Sequence, residues 1–139
     1  MHSDDGFRSW TEPRPLVPGD ARGGRGCVRT KPLLLPRSGA LLCGSSVEPR
    51  DENGNKLRWW AFVDRSSDGG ATWHAAARIQ VEDDHQEQKQ KQVGVKPVGL
   101  IQPSLWCSDP EHGARHVHSL MRSTAGWVYR SDSDDGGRS

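Results

Sequence analysis

The chain has 139 residues, of which 32% are apolar and 27% are charged, and its formal net charge is +1. This near-neutral balance gives no electrostatic footprint for nucleic acid or for an acidic membrane surface, so we expect neither as a partner. No apolar run approaches the length of a membrane span, and no basic segment followed by an apolar run opens the chain as in a signal peptide. The cellular compartment stays open, because the N-terminus of the whole protein need not be Met1.

A short phrase of the pattern S-x-D-x-G-x-[ST]-W recurs along the chain, and we call its copies the first, second and third aspartate turns. The second turn, 66–73, fits the pattern fully, and the third, 133–139, fits it up to the position before the Trp. The first turn, 3–10, is a worn copy with Phe7 in place of the second Gly. The aspartates of successive turns are 63 and 67 residues apart. Such a near-constant interval indicates a repeat architecture.

The composition of these turns favours a structural role for their aspartates over a catalytic one. Ser and Asp side chains can bond the backbone N–H groups of the next few residues and so close a tight hairpin. The glycines supply the positive φ that such a hairpin needs, and the terminal Trp is suited to packing beneath it. The residues assigned to this structural role are Asp5, Asp68, Gly70, Trp73, Asp135 and Gly137.

Around the turns, the sequence predicts short strands. Apolar and aromatic runs alternate with turn-rich breaks, and no stretch shows a convincing helical period. The predicted strands are at 33–35, 40–44, 60–62, 75–79, 102–106, 116–121 and 127–129. Four short antiparallel strands per unit predict an all-β fold built of β-propeller blades. A β-sandwich would not be expected to repeat its turn sequence, and a β-solenoid has shorter repeats.

The whole chain, 1–139, is interpreted as one partial propeller domain. Its blade units cover about 11–80 and 93–139, and the polar run 82–92 between them predicts a solvated loop. A propeller closes with about four to eight blades, whereas a chain of this length holds only about two. We therefore expect a fragment, whose missing blades belong to the same parent chain.

Neither the cysteines nor the histidines predict a metal or cofactor site. Cys27, Cys43 and Cys107 are an odd number without Cys-x-x-Cys spacing, which predicts buried small hydrophobic residues rather than a zinc site or a disulfide framework. His116 and His118 would face the same side of a strand, where two imidazoles can bind a metal or do acid–base work. No carboxylate or Cys at ligand spacing completes such a site. We therefore expect no metal and no cofactor.

These features together resemble the sialidase superfamily, whose members carry the aspartate turn as the BNR repeat or Asp box. Members of this superfamily are six-bladed β-propellers, and the resemblance covers nearly the whole chain apart from the polar run. The segment 28–32 is similar to the Arg-Ile-Pro segment that opens a sialidase blade, with an extra residue between Arg29 and Pro32. The segments 101–106 and 118–126 resemble the neuraminidase-like branch.

The resemblance implies a site for an acidic sugar. Sialidases hold the substrate carboxylate with three arginines, because a planar guanidinium pairs with a carboxylate bidentately. They use a Tyr activated by a Glu as nucleophile, and an Asp on a loop as general acid. The candidate catalytic residues are Glu48 and Asp51, and the candidate substrate-binding residues are Arg29, Lys31, Gln102, His118 and Arg122. Tyr129 is interpreted as a packing residue, so the usual nucleophile would lie beyond Ser139.

Two classes of function follow from this interpretation. The first is a sialidase-like exo-glycosidase that acts on terminal sialic acid or a related acidic sugar and is inactive as this fragment. The second is a non-catalytic propeller that binds carbohydrate or protein, since a fold does not fix a function. A polysaccharide lyase of related fold is a further alternative. An arginine triad with a Tyr–Glu pair in the remaining blades would favour the sialidase, whereas an uncharged channel would favour binding alone.

Overall fold

The computed structural model describes residues 1–18, 30–80, 98–109 and 115–139. These residues form seven β-strands and no helix, so the prediction of an all-β fold is confirmed. A helix long and apolar enough to cross a membrane is absent from these four segments. The strands are β1 (Leu33–Leu34), β2 (Leu41–Val47), β3 (Trp60–Ser66), β4 (His74–Arg78), β5 (Leu100–Cys107), β6 (Val117–Ser123) and β7 (Val128–Ser133).

The strands form two antiparallel sheets in which each strand pairs with the strand that follows it. The first sheet has the order β1-β2-β3-β4, and the second has the order β5-β6-β7. This up-and-down order is how a propeller blade is built, and the two sheets are partial blades of this type. In β6, the buried residues Val117, Ser119 and Met121 alternate with more exposed ones. This alternation is expected of a strand with one face on the core.

The second aspartate turn joins β3 to β4 and is held by the carboxylate of Asp68. That carboxylate accepts hydrogen bonds from the Thr72 backbone N–H at 2.9 Å, the Thr72 hydroxyl at 2.5 Å and the Ser66 hydroxyl at 2.7 Å. Gly70 has a φ of +94°, a left-handed conformation that favours glycine. Trp73 Nε1 donates to the Gly70 carbonyl at 3.0 Å and closes the turn from below.

The first and third aspartate turns repeat this arrangement. Asp135 accepts hydrogen bonds from the Ser133 hydroxyl at 2.7 Å and from the Arg138 backbone N–H at 2.8 Å. Asp5 accepts hydrogen bonds from the Ser9 hydroxyl at 2.6 Å and from the Ser9 backbone N–H at 3.0 Å. In all three turns a hydroxyl bond is the main cause that lowers the pKa of the carboxyl, to about 2 for Asp5.

The core lies between the two sheets and has two clusters. The first cluster is formed by Leu35, Ala40, Leu42, Val63 and Val117. The second cluster is formed by Ala61, Leu100 and Met121. Each cluster takes residues from both sheets, so burial of apolar surface holds one partial blade against the other. Tyr129, on β7, packs against the second cluster.

The backbones of the two sheets approach closely where Gly44 of β2 meets Pro103 of β5. A Cβ atom on Gly44 would lie 2.0 Å from the Pro103 carbonyl oxygen, so only glycine fits there. The Thr30 hydroxyl donates to the same carbonyl at 3.0 Å. Gln102, the residue before Pro103, has a φ of +57° at an irregularity in the register of β5. The inner part of the second sheet is therefore fixed against the first through the backbone as well as through side chains.

Cys43, on β2, corrects the expectation for the cysteines. It is disulfide-bonded, so the prediction of an unpaired small hydrophobic residue is wrong at this position. Sequence spacing missed this bond because a disulfide depends on the distance between two cysteines in the fold. Cys107 is a half-buried free thiol whose pKa is raised by burial. Cys27 and the polar run 82–92 lie outside the described residues.

Candidate functional site

The hairpins of the two sheets define two opposite ends. The second and third aspartate turns and the turn at 36–39 lie at one end, which we call the turn end. At the other end, which we call the groove end, the Leu100 N–H donates to the Trp59 carbonyl at 3.3 Å. The Gly99 N–H donates to the Thr124 hydroxyl at 2.8 Å, and the Thr124 N–H donates to the Gly99 carbonyl at 3.0 Å. These bonds bring together the loop before β3, the start of β5 and the β6–β7 hairpin.

A groove of about 860 Å³ opens between these three segments. Its lining includes three cationic side chains, those of Lys56, Arg58 and Arg122. It also includes two indole rings, those of Trp59 and Trp127. The described residues that line the groove include no carboxylate. The groove is therefore positively charged and aromatic, which suits a ligand that carries an anionic group and an apolar face.

Two of the groove cations are placed by aromatic rings. The Arg58 guanidinium lies 4.7 Å from the centre of the Trp60 ring, and its Nε donates to the Val98 carbonyl at 2.9 Å. Lys56 Nζ lies 5.7 Å from the centre of the Trp59 ring. Cations over an aromatic face are attracted by the ring quadrupole, which helps to hold these two positive charges at the groove.

Arg122 is the sequence-predicted residue that lines this groove, where it is exposed on β6. Lys31 and Gln102 lie next to the two residues joined by the hydrogen bond between Thr30 and Pro103. Lys31 is exposed, and Gln102 is half-buried. Of the predicted substrate-binding residues, Arg29 lies outside the described part of the chain.

The two candidate catalytic carboxylates lie in the loop between β2 and β3, at the groove end. Glu48 is exposed directly after β2. Asp51 accepts hydrogen bonds from the Asn55 side-chain amide at 2.9 Å and from the backbone N–H groups of Asn55 at 2.8 Å and Asn53 at 2.9 Å. These bonds, of which the Asn55 amide bond contributes most, lower the pKa of Asp51. A general acid must hold its proton near neutral pH, so this geometry favours a turn-closing role for Asp51.

His118 lies apart from the groove, in a polar cluster on the second sheet. Trp106, His118 and Asp132 are neighbours in register across β5, β6 and β7. His118 Nδ1 lies 2.5 Å from Asp132 Oδ1, and His118 Nε2 lies 2.8 Å from the Ser108 hydroxyl oxygen. Arg130 Nε donates to the same Asp132 oxygen at 2.9 Å. The hydrogen bond with His118, followed by that with Arg130, lowers the pKa of Asp132. We call Ser108, His118, Arg130 and Asp132 the histidine cluster.

Sequence reasoning selected His118 but missed its partners. It considered ligands only near the histidines in sequence, whereas Asp132 comes from the next strand, 14 residues further on. A sequence signal for these partners does exist. Asp132 and Asp134 are two residues apart, as His116 and His118 are, so two adjacent antiparallel strands can pair each histidine with one aspartate. His116 Nδ1 indeed lies 2.8 Å from Asp134 Oδ1, so both pairs form across the strands. Within the described ranges, no three His, Cys, Asp or Glu side chains are grouped as a metal site.

Comparison with known proteins identifies the family of the chain. The BNR repeat-like domain matches residues 1–139, a span that contains all three aspartate turns and both sheets. A search of curated proteins finds no match. A search of solved structures also finds no match.

Proposed function

Because the chain belongs to the BNR repeat-like domain family, we propose that it is a sialidase-like protein that recognises terminal sialic acid or a related acidic sugar at the groove end. The neuraminidase-like branch is the finer placement within this proposal, since the segments 101–106 and 118–126 resemble it. Recognition of an acidic sugar is the part of the proposal that the described residues support directly.

The observation that carries the proposal is the composition of the groove. Arg58 and Arg122 supply guanidinium groups, which pair with a sugar carboxylate through two parallel hydrogen bonds. Trp59 and Trp127 supply flat apolar surfaces on which the C–H face of a sugar ring can lie. Since the described lining has no carboxylate, a bound anion meets no repulsion from these residues.

A second candidate function, binding without catalysis, is favoured by the state of Asp51. Its carboxylate is bonded to its own turn and has a lowered pKa, so it is a poor proton donor. Tyr129 packs against the core, which removes the only tyrosine of the chain from a nucleophilic role. Hydrolysis, or cleavage by a related lyase, would therefore need groups beyond the described residues, whereas binding would not.

The binding proposal predicts a selective loss of affinity in the Arg122→Ala variant. Removal of one charge-assisted pair should weaken the binding of sialyllactose by about tenfold or more. The Arg37→Ala variant is the matched control, because it removes an exposed arginine at the turn end. Binding is followed by NMR chemical-shift titration of the 139-residue chain with sialyllactose and with neutral lactose. Equal affinity for the two sugars, or an Arg122→Ala variant that binds as the parent does, would contradict the proposal.

We also expect no release of sialic acid from an aryl sialoside by the purified 139-residue chain. The physical reason is that Asp51 is held as a carboxylate and Tyr129 packs against the core, so neither of these two residues can act as the proton donor or the nucleophile of a sialidase. Release is measured by fluorescence of the freed aryl group, with an active sialidase as the positive control. Turnover that disappears in an Asp51→Asn variant would show that Asp51 is catalytic after all.

A further inference from the structure

The histidine cluster has the hydrogen-bond order of an activated serine. Its three central groups form a continuous chain, from the Ser108 hydroxyl to His118 Nε2 at 2.8 Å, and from His118 Nδ1 to Asp132 Oδ1 at 2.5 Å. Nucleophile, base and orienting carboxylate in this sequence are the parts from which serine acyl transfer is built, whatever the fold and whatever their order along the chain.

The register of the second sheet places these groups. His118 pairs with Trp106 on one side and with Asp132 on the other, and Ser108 follows β5 directly. A shift of the register by one residue would turn the side chains to the opposite face, so the arrangement is fixed by the same pairing that buries Val117 and Met121. His118, Arg130 and Asp132 are therefore held by the sheet, and Ser108 lies directly after the end of β5.

The contacts of His118 fit a neutral ring with its proton on Nδ1. The short contact with the Asp132 carboxylate requires the proton on Nδ1, because a carboxylate oxygen only accepts. In the neutral ring with this proton, Nε2 presents its lone pair to the Ser108 hydroxyl, which is then the donor in that bond. An Arg130 guanidinium nitrogen also lies 3.3 Å from Nδ1. Arg130 donates to the same Asp132 oxygen at 2.9 Å and keeps that oxygen in place. This is the tautomer that a general base needs.

His118 and Ser108 differ in their exposure to solvent, as a general base and a nucleophile should. The His118 side chain is only 13% exposed, and its ring lies 5.0 Å from the centre of the Trp106 ring. Ser108 itself is exposed, so a substrate can reach its hydroxyl. Trp106 and Leu120 are partly exposed nearby on the same sheet, at 36% and 43%, and offer an apolar surface. That surface suits a small apolar acyl group better than a charged one.

We propose that Ser108 is the nucleophile of a second site, with His118 as general base and Asp132 as its positioning residue, and that this site cleaves carboxylic esters of small apolar acyl groups. This site does not depend on the groove or on sugar recognition.

The reaction uses only the ester and water. Ser108 Oγ forms a bond to the ester carbonyl carbon while its proton passes to His118 Nε2. The bond from that carbon to the alcohol oxygen breaks, and the departing oxygen takes the proton from His118. Water then attacks the acyl-serine with His118 again as base, the Ser108 oxygen leaves and is reprotonated, and the carboxylic acid is released.

The test is covalent labelling of the 139-residue protein with an alkyl fluorophosphonate, followed by intact mass and peptide mapping. We expect one label per chain, on Ser108, and none in the Ser108→Ala variant. The Ser104→Ala variant is the matched control, because Ser104 is an exposed serine on β5, the strand that Ser108 follows, and it should label as the parent does. The His118→Gln variant should label at least about a hundredfold more slowly, because a general base contributes about 100- to 10,000-fold.

Three readouts decide the proposal. Labelling of Ser108 that slows in His118→Gln and also in Asp132→Asn, with both variants folded by circular dichroism, supports it. A burst of p-nitrophenol from p-nitrophenyl acetate that is lost in Ser108→Ala supports it as well. An unlabelled Ser108, or a label whose rate is the same in the parent and in His118→Gln, overturns it.

Discussion

Replacing Gly44 with alanine is expected to lower the free energy of unfolding by about 3 kcal/mol, the upper part of the range for an overpacked core. The new Cβ atom would lie 2.0 Å from the carbonyl oxygen of Pro103, a backbone atom that cannot rotate away. β2 and β5 would have to separate, and the contact between the two partial blades would loosen with them. Urea unfolding followed by tryptophan fluorescence measures the loss.

The Gly54→Ala variant is the matched control for this prediction. Gly54 has a φ of +79° and nothing near its missing Cβ, so alanine there meets backbone strain but no clash. That strain costs about 1 kcal/mol. The two variants thus distinguish a glycine required by close packing, Gly44, from a glycine required by its positive φ, Gly54. Equal losses in the two variants would show that β2 and β5 do not approach as closely as described.

Acid is expected to unfold the chain progressively below about pH 4, through the aspartate turns. The carboxyls of Asp5, Asp68 and Asp135 have pKa values below the ordinary 3.8, to about 2 for Asp5. A carboxyl whose pKa is lowered by folding stabilises the fold above its unfolded pKa. That contribution is lost as the pH falls through the folded pKa. The stability that these groups provide is therefore complete at pH 5 and is lost progressively as the pH falls from about 4 through the lowered pKa values.

The Asp68→Asn variant tests whether the carboxyl of Asp68 contributes to the acid sensitivity of the fold. An amide cannot accept the bonds from Thr72 and Ser66 as a carboxylate does, so the variant should be less stable at pH 7 and less sensitive to acid. The Glu52→Gln variant removes an exposed carboxyl of the β2–β3 loop and serves as the control for net charge. Midpoints of thermal unfolding at pH 7, 4 and 3 are compared. Parallel pH curves for Asp68→Asn and the parent would contradict this account.

Local chemistry explains how far the sequence predicts the fold. The second aspartate turn is specified within eight residues, because Ser66, Asp68 and Thr72 bond within the turn and Gly70 alone accepts its φ. The strands before and after it follow from short apolar runs between turn residues. The fourth strand of the first unit, predicted at 75–79, lies at His74–Arg78.

Non-local pairing explains what the sequence could not predict. The contact between His118 and Asp132 depends on the register of β6 with β7, which no local pattern fixes. The left-handed Gln102 lies beside the close approach of Pro103 to Gly44, a contact between the two sheets that no local pattern predicts. The disulfide at Cys43 likewise joins positions that sequence spacing does not relate. The composition of the groove also emerges only when three separate segments meet.

The outer strand of the second sheet has a consequence for the way the protein behaves at high concentration. In the described part of the chain, β7 pairs with β6 on one side only, so the N–H and C=O groups on its other edge can pair with a strand of another molecule. Arg130 and Asp132 are exposed on this strand and place a charge of each sign along its edge. A foreign strand that docked there would partly cover both charged side chains, which disfavours docking. The same residues that hold His118 therefore also protect the sheet against self-association and aggregation.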